Sequence, residues 1–194
     1  AFKFHSEGNI LEAVKYYQYF IAQGFTDHRV FSNYGGLLLS RGNPQEAELS
    51  TRKAIELKPD FADAHLNLGS ILRDLGKLKE AELSTRKAIE LKPQSADAHL
   101  NLGSILRDLG KLQEAKLSTR KAIELKPDLA DAHLNLGNIL RDIGRLQEAE
   151  FSTRKAIELQ PDLADAHLNL GNILRDLGKL EQAEISQRKA IELK

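Results

Sequence analysis

One asparagine recurs every 34 residues along this chain, and its side chain has the chemistry to hold an extended peptide. An Asn carboxamide offers two N–H donors and an acceptor oxygen with two lone pairs. A row of such groups can bond the backbone N–H and C=O of a bound segment, whatever its side chains. The alternative is a copied surface residue, or an Asn that bonds between neighbouring helices. The row consists of Asn33, Asn67, Asn101, Asn135 and Asn169.

Histidine recurs with the same period, which raises the question of a metal site. Equivalent helices in a stack lie about 8–10 Å apart, whereas zinc ligands must each come within ~2.1 Å of one ion. Adjacent copies therefore do not share a metal, and we expect hydrogen-bonded histidines packed in the core. The copies are His65, His99, His133 and His167.

No other motif carries catalytic chemistry. The run Ser-Thr-Arg-Lys recurs in the middle of a helical segment and is typical of a solvated outer face. There is no Gly-rich phosphate loop, and Gly35-Gly36 falls at a helix contact rather than in a nucleotide fingerprint. The sequence therefore predicts a protein that is not an enzyme and that has no cofactor and no metal.

Composition narrows the choice of partner. The 194 residues include 28 Lys and Arg against 28 Asp and Glu, and no Cys, which excludes disulfides and thiolate chemistry. Nucleic-acid binders usually carry a basic surplus, and no apolar run approaches the ~18 residues of a membrane span. We therefore expect a protein or peptide partner, no nucleic acid and no membrane. No targeting signal is visible, so we expect a cytoplasmic protein.

Near-identical copies of one unit account for the whole chain. Ala62–Ser95 and Ala96–Leu129 differ at four positions, one of which places Lys116 where the earlier copy has Glu82. We predict a single array, 1–194, with repeats 1–27 (partial), 28–61, 62–95, 96–129, 130–163 and 164–194. Tandem duplication and consensus design both give such copies; changes such as Arg145 and Phe151 favour duplication.

Each repeat is predicted to form two helices joined by a turn. Residues 62–75 carry an apolar stripe at helical spacing, Asp60 is placed to cap the start of that helix, and Gly76 ends it. The second helix stops before Pro93 and turns inward Leu78, Ala81, Thr85, Ala88 and Ile89. One hairpin cannot bury its apolar faces alone, so neighbours must stack into a solenoid.

A short pattern recurs in the central units with the same period of 34 residues. It reads His65-x2-Leu68-Gly69-x2-Leu72, then Ala81-x3-Thr85, then Pro93. The pattern resembles the tetratricopeptide repeat over the full chain. The resemblance implies an all-α fold, a right-handed superhelical solenoid of antiparallel helix hairpins whose first helices line a concave groove for extended peptides or partner helices. His for Trp, Leu for Tyr and Thr for Phe depart from the family pattern and change core volume rather than fold.

Helical-wheel geometry shows which residues of the first helices face this groove. The asparagine row lies there and is similar to the asparagine ladder of the O-linked N-acetylglucosamine transferase family. Chaperone-binding members of the family clamp a terminal carboxylate with basic groups, which this groove lacks at the matching positions. A peptide with apolar and some basic residues is expected to fit this groove better than an acidic peptide. With the asparagines, the predicted peptide-binding residues are Asp63, Asp97, Asp131, Asp165, Leu66, Leu100, Leu134, Arg73, Arg107 and Arg141. The Asp that ends each first helix is expected to form a local ion pair with a Lys or a neighbouring Arg.

The two ends of the chain differ from its middle. Nine of the eleven aromatic residues precede Gly35, which indicates either a specialised terminal repeat or an aromatic anchor for a partner. They are Phe2, Phe4, Tyr16, Tyr17, Tyr19, Phe20, Phe25, Phe31 and Tyr34. At the other end no polar closing helix follows, which favours self-association through the C-terminal helix or a fragment whose next repeat was cut off.

Three functions fit these observations. The first is a non-catalytic protein–protein interaction scaffold that binds an extended peptide or partner segment in the groove. The second is a targeting domain excised from a larger enzyme such as a glycosyltransferase. The third is a structural solenoid that assembles with itself.

Overall fold

The computed structural model describes residues 3–4 and 7–193, and within them the chain is helical with no β-strand. Two compact units are distinguished, Ala1–Pro93 and Gln94–Lys194, and each is described by itself. The first contains α1 (Ile10–Ala22), α2 (His28–Ser40), α3 (Pro44–Leu57), α4 (Ala62–Asp74) and α5 (Leu78–Leu91). The second contains α6 (Ala96–Asp108), α7 (Leu112–Leu125), α8 (Ala130–Asp142), α9 (Leu146–Leu159), α10 (Ala164–Asp176) and α11 (Leu180–Glu192). None of the described helices is both long and apolar enough to cross a membrane.

The helices form hairpins, and each predicted repeat from residue 28 onward holds one. Gly76 follows α4 with φ of 73°, a left-handed conformation that glycine adopts without strain. There the N–H of Lys77 donates to the carbonyl of Leu72 at 2.8 Å, which closes the helix and turns the chain into α5. The predicted pair of helices per unit is confirmed.

The starts of the first helices differ from the prediction for Asp60. Phe61 is the capping residue of α4, and its side chain has no acceptor, so Asp60 does not cap the helix. The equivalent residue before α6 is Ser95, whose Oγ accepts from the N–H of Ala98 at 3.2 Å. The residue type at this capping position, Phe61 or Ser95, therefore decides whether a side chain bonds the free N–H groups of the helix start.

The core of each unit lies between hairpins as well as inside them. In the second unit, α6 packs on α7, α8 on α9 and α10 on α11, while α7 packs on α8 and α9 on α10. First helices also contact each other, α6 with α8 and α8 with α10, and α2 with α4 in the first unit. Close approach within a hairpin needs a glycine, because a Cβ at Gly103 would lie 2.2 Å from Thr119 Oγ1. Small residues therefore set the spacing inside each hairpin.

The aromatic residues of the N-terminal region form a cluster of their own. Tyr17 is fully buried in it, together with the partly buried Phe20 and Tyr34. Phe25 packs on Phe20 with ring centroids 5.3 Å apart, yet more than half of its surface stays exposed. The described aromatics thus include both core residues and exposed ones. Phe2 lies outside the described residues.

Asp27 fixes the start of α2. Its carboxylate accepts from the backbone N–H of Arg29 at 2.8 Å and from the Arg29 guanidinium at 2.7 Å. The hydrogen bond from the Arg29 side chain is the main reason that the pKa of Asp27 falls to about 2. Asp27 is therefore a charged N-cap, the arrangement that the helix dipole favours.

Candidate functional site

The first helices of the second unit form one surface, here called the first-helix face, on which α6, α8 and α10 lie side by side. These helices repeat the same side chains in the same register, except that α8 and α10 carry Asn138 and Asn172 where α6 has Ser104. The acidic residues near their starts are exposed, and the leucines three positions later are half-buried or, at Leu168, exposed. The residues concerned are Asp97, Asp131, Asp165, Leu100, Leu134 and Leu168. In the first unit, α4 places Asp63 and Leu66 in the same way.

The asparagines of this face reach into the contact between hairpins. Asn135 is 9% exposed, and its Nδ2 donates to Thr119 Oγ1 at 3.1 Å. Asn169 is 7% exposed, and its Nδ2 donates to Thr153 Oγ1 at 3.4 Å. The threonines stand at the position where the repeat family has Phe, so a hydroxyl replaces an aromatic ring against the next hairpin. In the described part of the second unit the Oδ1 atoms of Asn135 and Asn169 accept no hydrogen bond from the protein.

The first unit bonds its asparagines differently. Asn33 Nδ2 donates to the Tyr17 hydroxyl at 3.4 Å, since a tyrosine occupies the threonine position there. Asn67 Nδ2 donates to Ser32 Oγ at 3.1 Å rather than to Thr51. Among the described residues no group bonds the buried Thr51 Oγ1. An orphan hydroxyl of this kind costs about 1–3 kcal/mol.

Arginine–aspartate pairs run from one first helix to the next. Arg107 Nε donates to Asp142 Oδ2 at 2.5 Å, and Arg141 Nε donates to Asp176 Oδ2 at 2.7 Å. The expected local ion pair of these two aspartates is thereby confirmed, with the neighbouring arginine as partner. Arg73 is half-buried at the same register of α4. The pairs tie α6 to α8 and α8 to α10, and they occupy two of the predicted groove arginines.

The repeated histidines bond to the loop that precedes their own helix. Nε2 lies 2.8 Å from the Pro59 carbonyl for His65, and 2.9 Å from the Pro127 carbonyl for His133. The prediction of a hydrogen-bonded histidine is confirmed at these positions. The prediction of a core histidine is wrong, because His65 and His133 are half-buried, and His65 lines the open α3/α5 cleft. Within the described residues no three His, Asp or Glu side chains come together as metal ligands.

Clefts on the opposite side of the hairpins are a feature that sequence reasoning missed. Each cleft lies between two successive second helices and has a first helix as its floor. The α3/α5 cleft has a volume of about 540 Å³, the α7/α9 cleft about 420 Å³ and the α9/α11 cleft about 690 Å³. An exposed apolar side chain stands on the wall of each: Leu83, Phe151 and Ile185, with Phe151 74% exposed. The missed signal was an apolar residue that recurs on the otherwise polar outer face.

Ion pairs span the α3/α5 and α9/α11 clefts. Glu48 accepts from Arg52 on its own helix and from Lys77 of the next hairpin, both at 2.8 Å. Glu150 is held in the same way by Arg154 and Lys179. The hydrogen bond from the lysine is the main cause that lowers the pKa of each glutamate. A glutamate at this register therefore links two hairpins.

The hairpin array with its 34-residue register defines a class of helical-repeat protein, and family comparisons place the chain within it. A model described as the Cilia and flagella-associated protein 70 middle TPR-like domain matches residues 1–102. Models of the TPR or tetratricopeptide repeat match residues 103–144, 130–163 and 153–185. The chain therefore belongs to the tetratricopeptide-repeat family. Proteins of this family generally mediate interactions between proteins.

Solved structures show the same fold. MamA is 25% identical, with a TM-score of 0.69 over 87% of this chain and 95% of that one. YrrB, described as a TPR protein with an unusual peptide-binding site, is 26% identical, with a TM-score of 0.65 over 92% of each chain. The Cut9–Hcn1 hetero-tetramer gives a TM-score of 0.89 over 98% of this chain and 38% of that one at 17% identity, which shows the fold alone. No curated protein sequence matches the chain.

Proposed function

We propose that the chain is a non-catalytic interaction module that holds an extended segment of a partner protein across its first-helix face. The observation that supports the proposal is that, within the described residues, the carboxamides of Asn135 and Asn169 are bonded to the protein on one side only. A buried threonine takes one amide hydrogen of Asn135 and of Asn169. This bond fixes the plane of each carboxamide and leaves Oδ1 as an acceptor for a peptide N–H.

The side chains around the asparagines complete a site for an extended segment. Leu100, Leu134 and Leu168 supply apolar contact at equal steps, and an acidic residue precedes each of them by three positions. A segment with apolar and some basic residues is complementary to this surface. Backbone bonding to Oδ1 would make the contact tolerant of the segment's own sequence. The structural likeness to YrrB, described as a TPR protein with an unusual peptide-binding site, supports a function of this kind.

A peptide selection tests the proposal. Random dodecapeptides displayed on phage are selected on the whole chain and counter-selected on a variant with Leu100, Leu134 and Leu168 changed to Ser. We expect peptides that need these leucines and that bind at least about tenfold more weakly to Asn101→Ala/Asn135→Ala, equivalent to ~1.4 kcal/mol.

A matched control separates the asparagines from other amides. Gln113→Ala removes a carboxamide from the exposed start of α7 and should leave peptide affinity unchanged. Circular dichroism establishes that each variant remains folded at the assay temperature. If no selected peptide depends on the leucines, or if the asparagine variant binds as well as the native chain, the proposal is wrong.

A further inference from the structure

The α7/α9 cleft differs from its counterparts in charge. Lys116 stands on α7 where α3 has Glu48 and α9 has Glu150, the residues that link neighbouring hairpins. Among the described residues no carboxylate pairs with Lys116. The cation that would have paired with a glutamate here is still present, because Arg145 occupies the register of Lys77 and Lys179. An attraction across the cleft is thus replaced by two like charges.

A third cation adds to this surplus. Arg120 lies one helical turn beyond Lys116 on the same face of α7. Its ion pair within the described structure is with Glu148, at 4.0 Å, and Arg145 contacts that same glutamate. Among the described residues, Glu148 thus pairs with both Arg120 and Arg145, and no carboxylate pairs with Lys116. Around the α3/α5 cleft, Glu48 and Glu80 balance Arg52 and Lys77.

The interior of the α7/α9 cleft is apolar. Its floor consists of Leu136 and Leu140 from α8, and its wall carries Phe151, an exposed aromatic at a position where α5 has Leu83. A volume of about 420 Å³ lies within the range of cavities that enclose small ligands. Arg120 and Phe151 line this cleft, and Lys116 and Arg145 occupy the positions of Glu48 and Lys77, which form an ion pair in the first unit.

We infer that the α7/α9 cleft is a second interaction surface, which takes an acidic protein segment with an apolar or aromatic anchor. The anchor lies against Phe151 and the leucine floor, and acidic side chains on either side of it pair with Lys116, Arg120 and Arg145. Partly desolvated aromatic and charged contacts of this kind dominate binding energy at interfaces. The site is independent of the first-helix face, since none of these residues belongs to it.

Charge distribution favours a peptide over a nucleic acid. The cationic cluster is compact, and carboxylates return at Glu150 in the adjoining α9/α11 cleft. Tight nucleic-acid binding usually draws on about 6–10 phosphate contacts along a continuous basic track. The apolar floor also has no role in binding a phosphate backbone.

Synthetic decapeptides test the inference on the whole chain by fluorescence anisotropy. The probe is fluorescein-labelled DEDDFLDEDE; the comparison probes are DEDDGSDEDE, which lacks the anchor, KRKKFLKRKR, which reverses the charge, and a decamer of deoxythymidine. We expect saturable binding of the first probe alone, and a loss of affinity when salt screens the charges.

Lys116→Glu is the decisive variant because it restores the residue that other repeats carry. It should stay folded, pair with Arg145 as Glu48 pairs with Lys77, and weaken the acidic probe by at least about tenfold. Lys79→Glu is the matched control: it makes the same charge change on exposed surface in the other unit and should leave the affinity within about twofold. Phe151→Ser should weaken the acidic probe as well. The inference would be overturned if the acidic probe bound the native chain and Lys116→Glu equally well, or did not bind the native chain. It would also be overturned if the anchor-free peptide or the oligonucleotide bound the native chain as well as the acidic probe does.

Discussion

The same pair of residues, a buried threonine and the asparagine of the next hairpin, behaves differently in the two units. In the second unit Thr119 Oγ1 accepts from Asn135 Nδ2, so the buried hydroxyl is bonded. In the first unit Asn67 turns to Ser32, and Thr51 stays buried without a partner among the described residues. Ser32 stands where the other first helices carry Leu, and its hydroxyl accepts from Asn67. Thr85 Oγ1 is likewise buried without a partner among the described residues, although Leu66 stands at the serine position there. Near-identical repeats thus acquire different contacts.

Glycine-to-alanine changes beside these threonines should give the largest loss of unfolding free energy. A Cβ at Gly103 would lie 2.2 Å from Thr119 Oγ1 and 3.2 Å from Asn135 Nδ2, so alanine must displace a bonded pair. We expect Gly103→Ala to cost about 3 kcal/mol, at the upper end for overpacking. Gly35→Ala meets Thr51 Oγ1 at 2.1 Å but displaces no hydrogen bond, and should cost less. Chemical denaturation followed by circular dichroism measures both.

An adjacent glycine supplies the control for this experiment. The atom nearest to a Cβ at Gly36 is Asn67 Nδ2, 3.9 Å away, which is ordinary contact. Gly36→Ala should therefore raise stability by up to about 1 kcal/mol through helix propensity. Equal losses for Gly103→Ala and Gly36→Ala would refute the close approach at Thr119.

Threonine-to-valine changes should give the next largest effect. Thr119→Val leaves the Asn135 amide without its partner and should cost about 1–3 kcal/mol. Thr51→Val removes a hydroxyl that bonds nothing in the described structure, and it should be neutral or slightly stabilising. A larger loss from Thr51→Val than from Thr119→Val in urea unfolding would contradict the assigned contacts.

Removal of the Ser32 hydroxyl should give the first unit the asparagine–threonine hydrogen bond of the second. In a Ser32→Ala background, Asn67 Nδ2 loses the hydroxyl of residue 32 and retains a 3.4 Å contact with the backbone carbonyl of that residue, so it can turn to Thr51. Thr51→Val should then become costly, with a coupling energy of about 0.5–1.5 kcal/mol in a double-mutant cycle. Additive effects of the two changes would show that Ser32 does not compete with Thr51 for Asn67.

Much of the fold could be predicted from the sequence, because the 34-residue register, Gly76 and Pro93 are local signals that place each hairpin. The partner of an asparagine could not be predicted in the same way. Asn67 and Asn135 occupy equivalent positions, and their contacts depend on Ser32 of one neighbouring helix and Thr119 of another. The effect of Lys116 on the contact between hairpins could not be predicted either. It replaces a glutamate of the Glu48 type, and Glu48 bonds Lys77, which is 29 positions away in the sequence.

Changes to the glutamates that link neighbouring hairpins should give the smallest loss of stability. The lowered pKa of Glu48 means that its stabilising contribution is complete above pH ~4.5, the ordinary value, and is lost as the pH falls through the folded-state pKa. Glu48→Gln should therefore cost about 0.5–1 kcal/mol at neutral pH and nothing in strong acid. Lys116→Glu should show the opposite sign, a gain at neutral pH that disappears in acid. Stability curves against pH measure both, and a loss from Glu48→Gln that persists in acid would contradict the link.

The proposed function requires contact between a bound segment and the asparagines of the second unit. Nuclear magnetic resonance of the side-chain amides of Asn101, Asn135 and Asn169 reports on that contact during titration with a peptide selected on the first-helix face. We predict that these amide signals shift and saturate together, with the dissociation constant that fluorescence anisotropy gives for the same peptide. The side-chain amide signal of Gln113 should not shift. A peptide that binds while the three asparagine amides do not move would contradict the account.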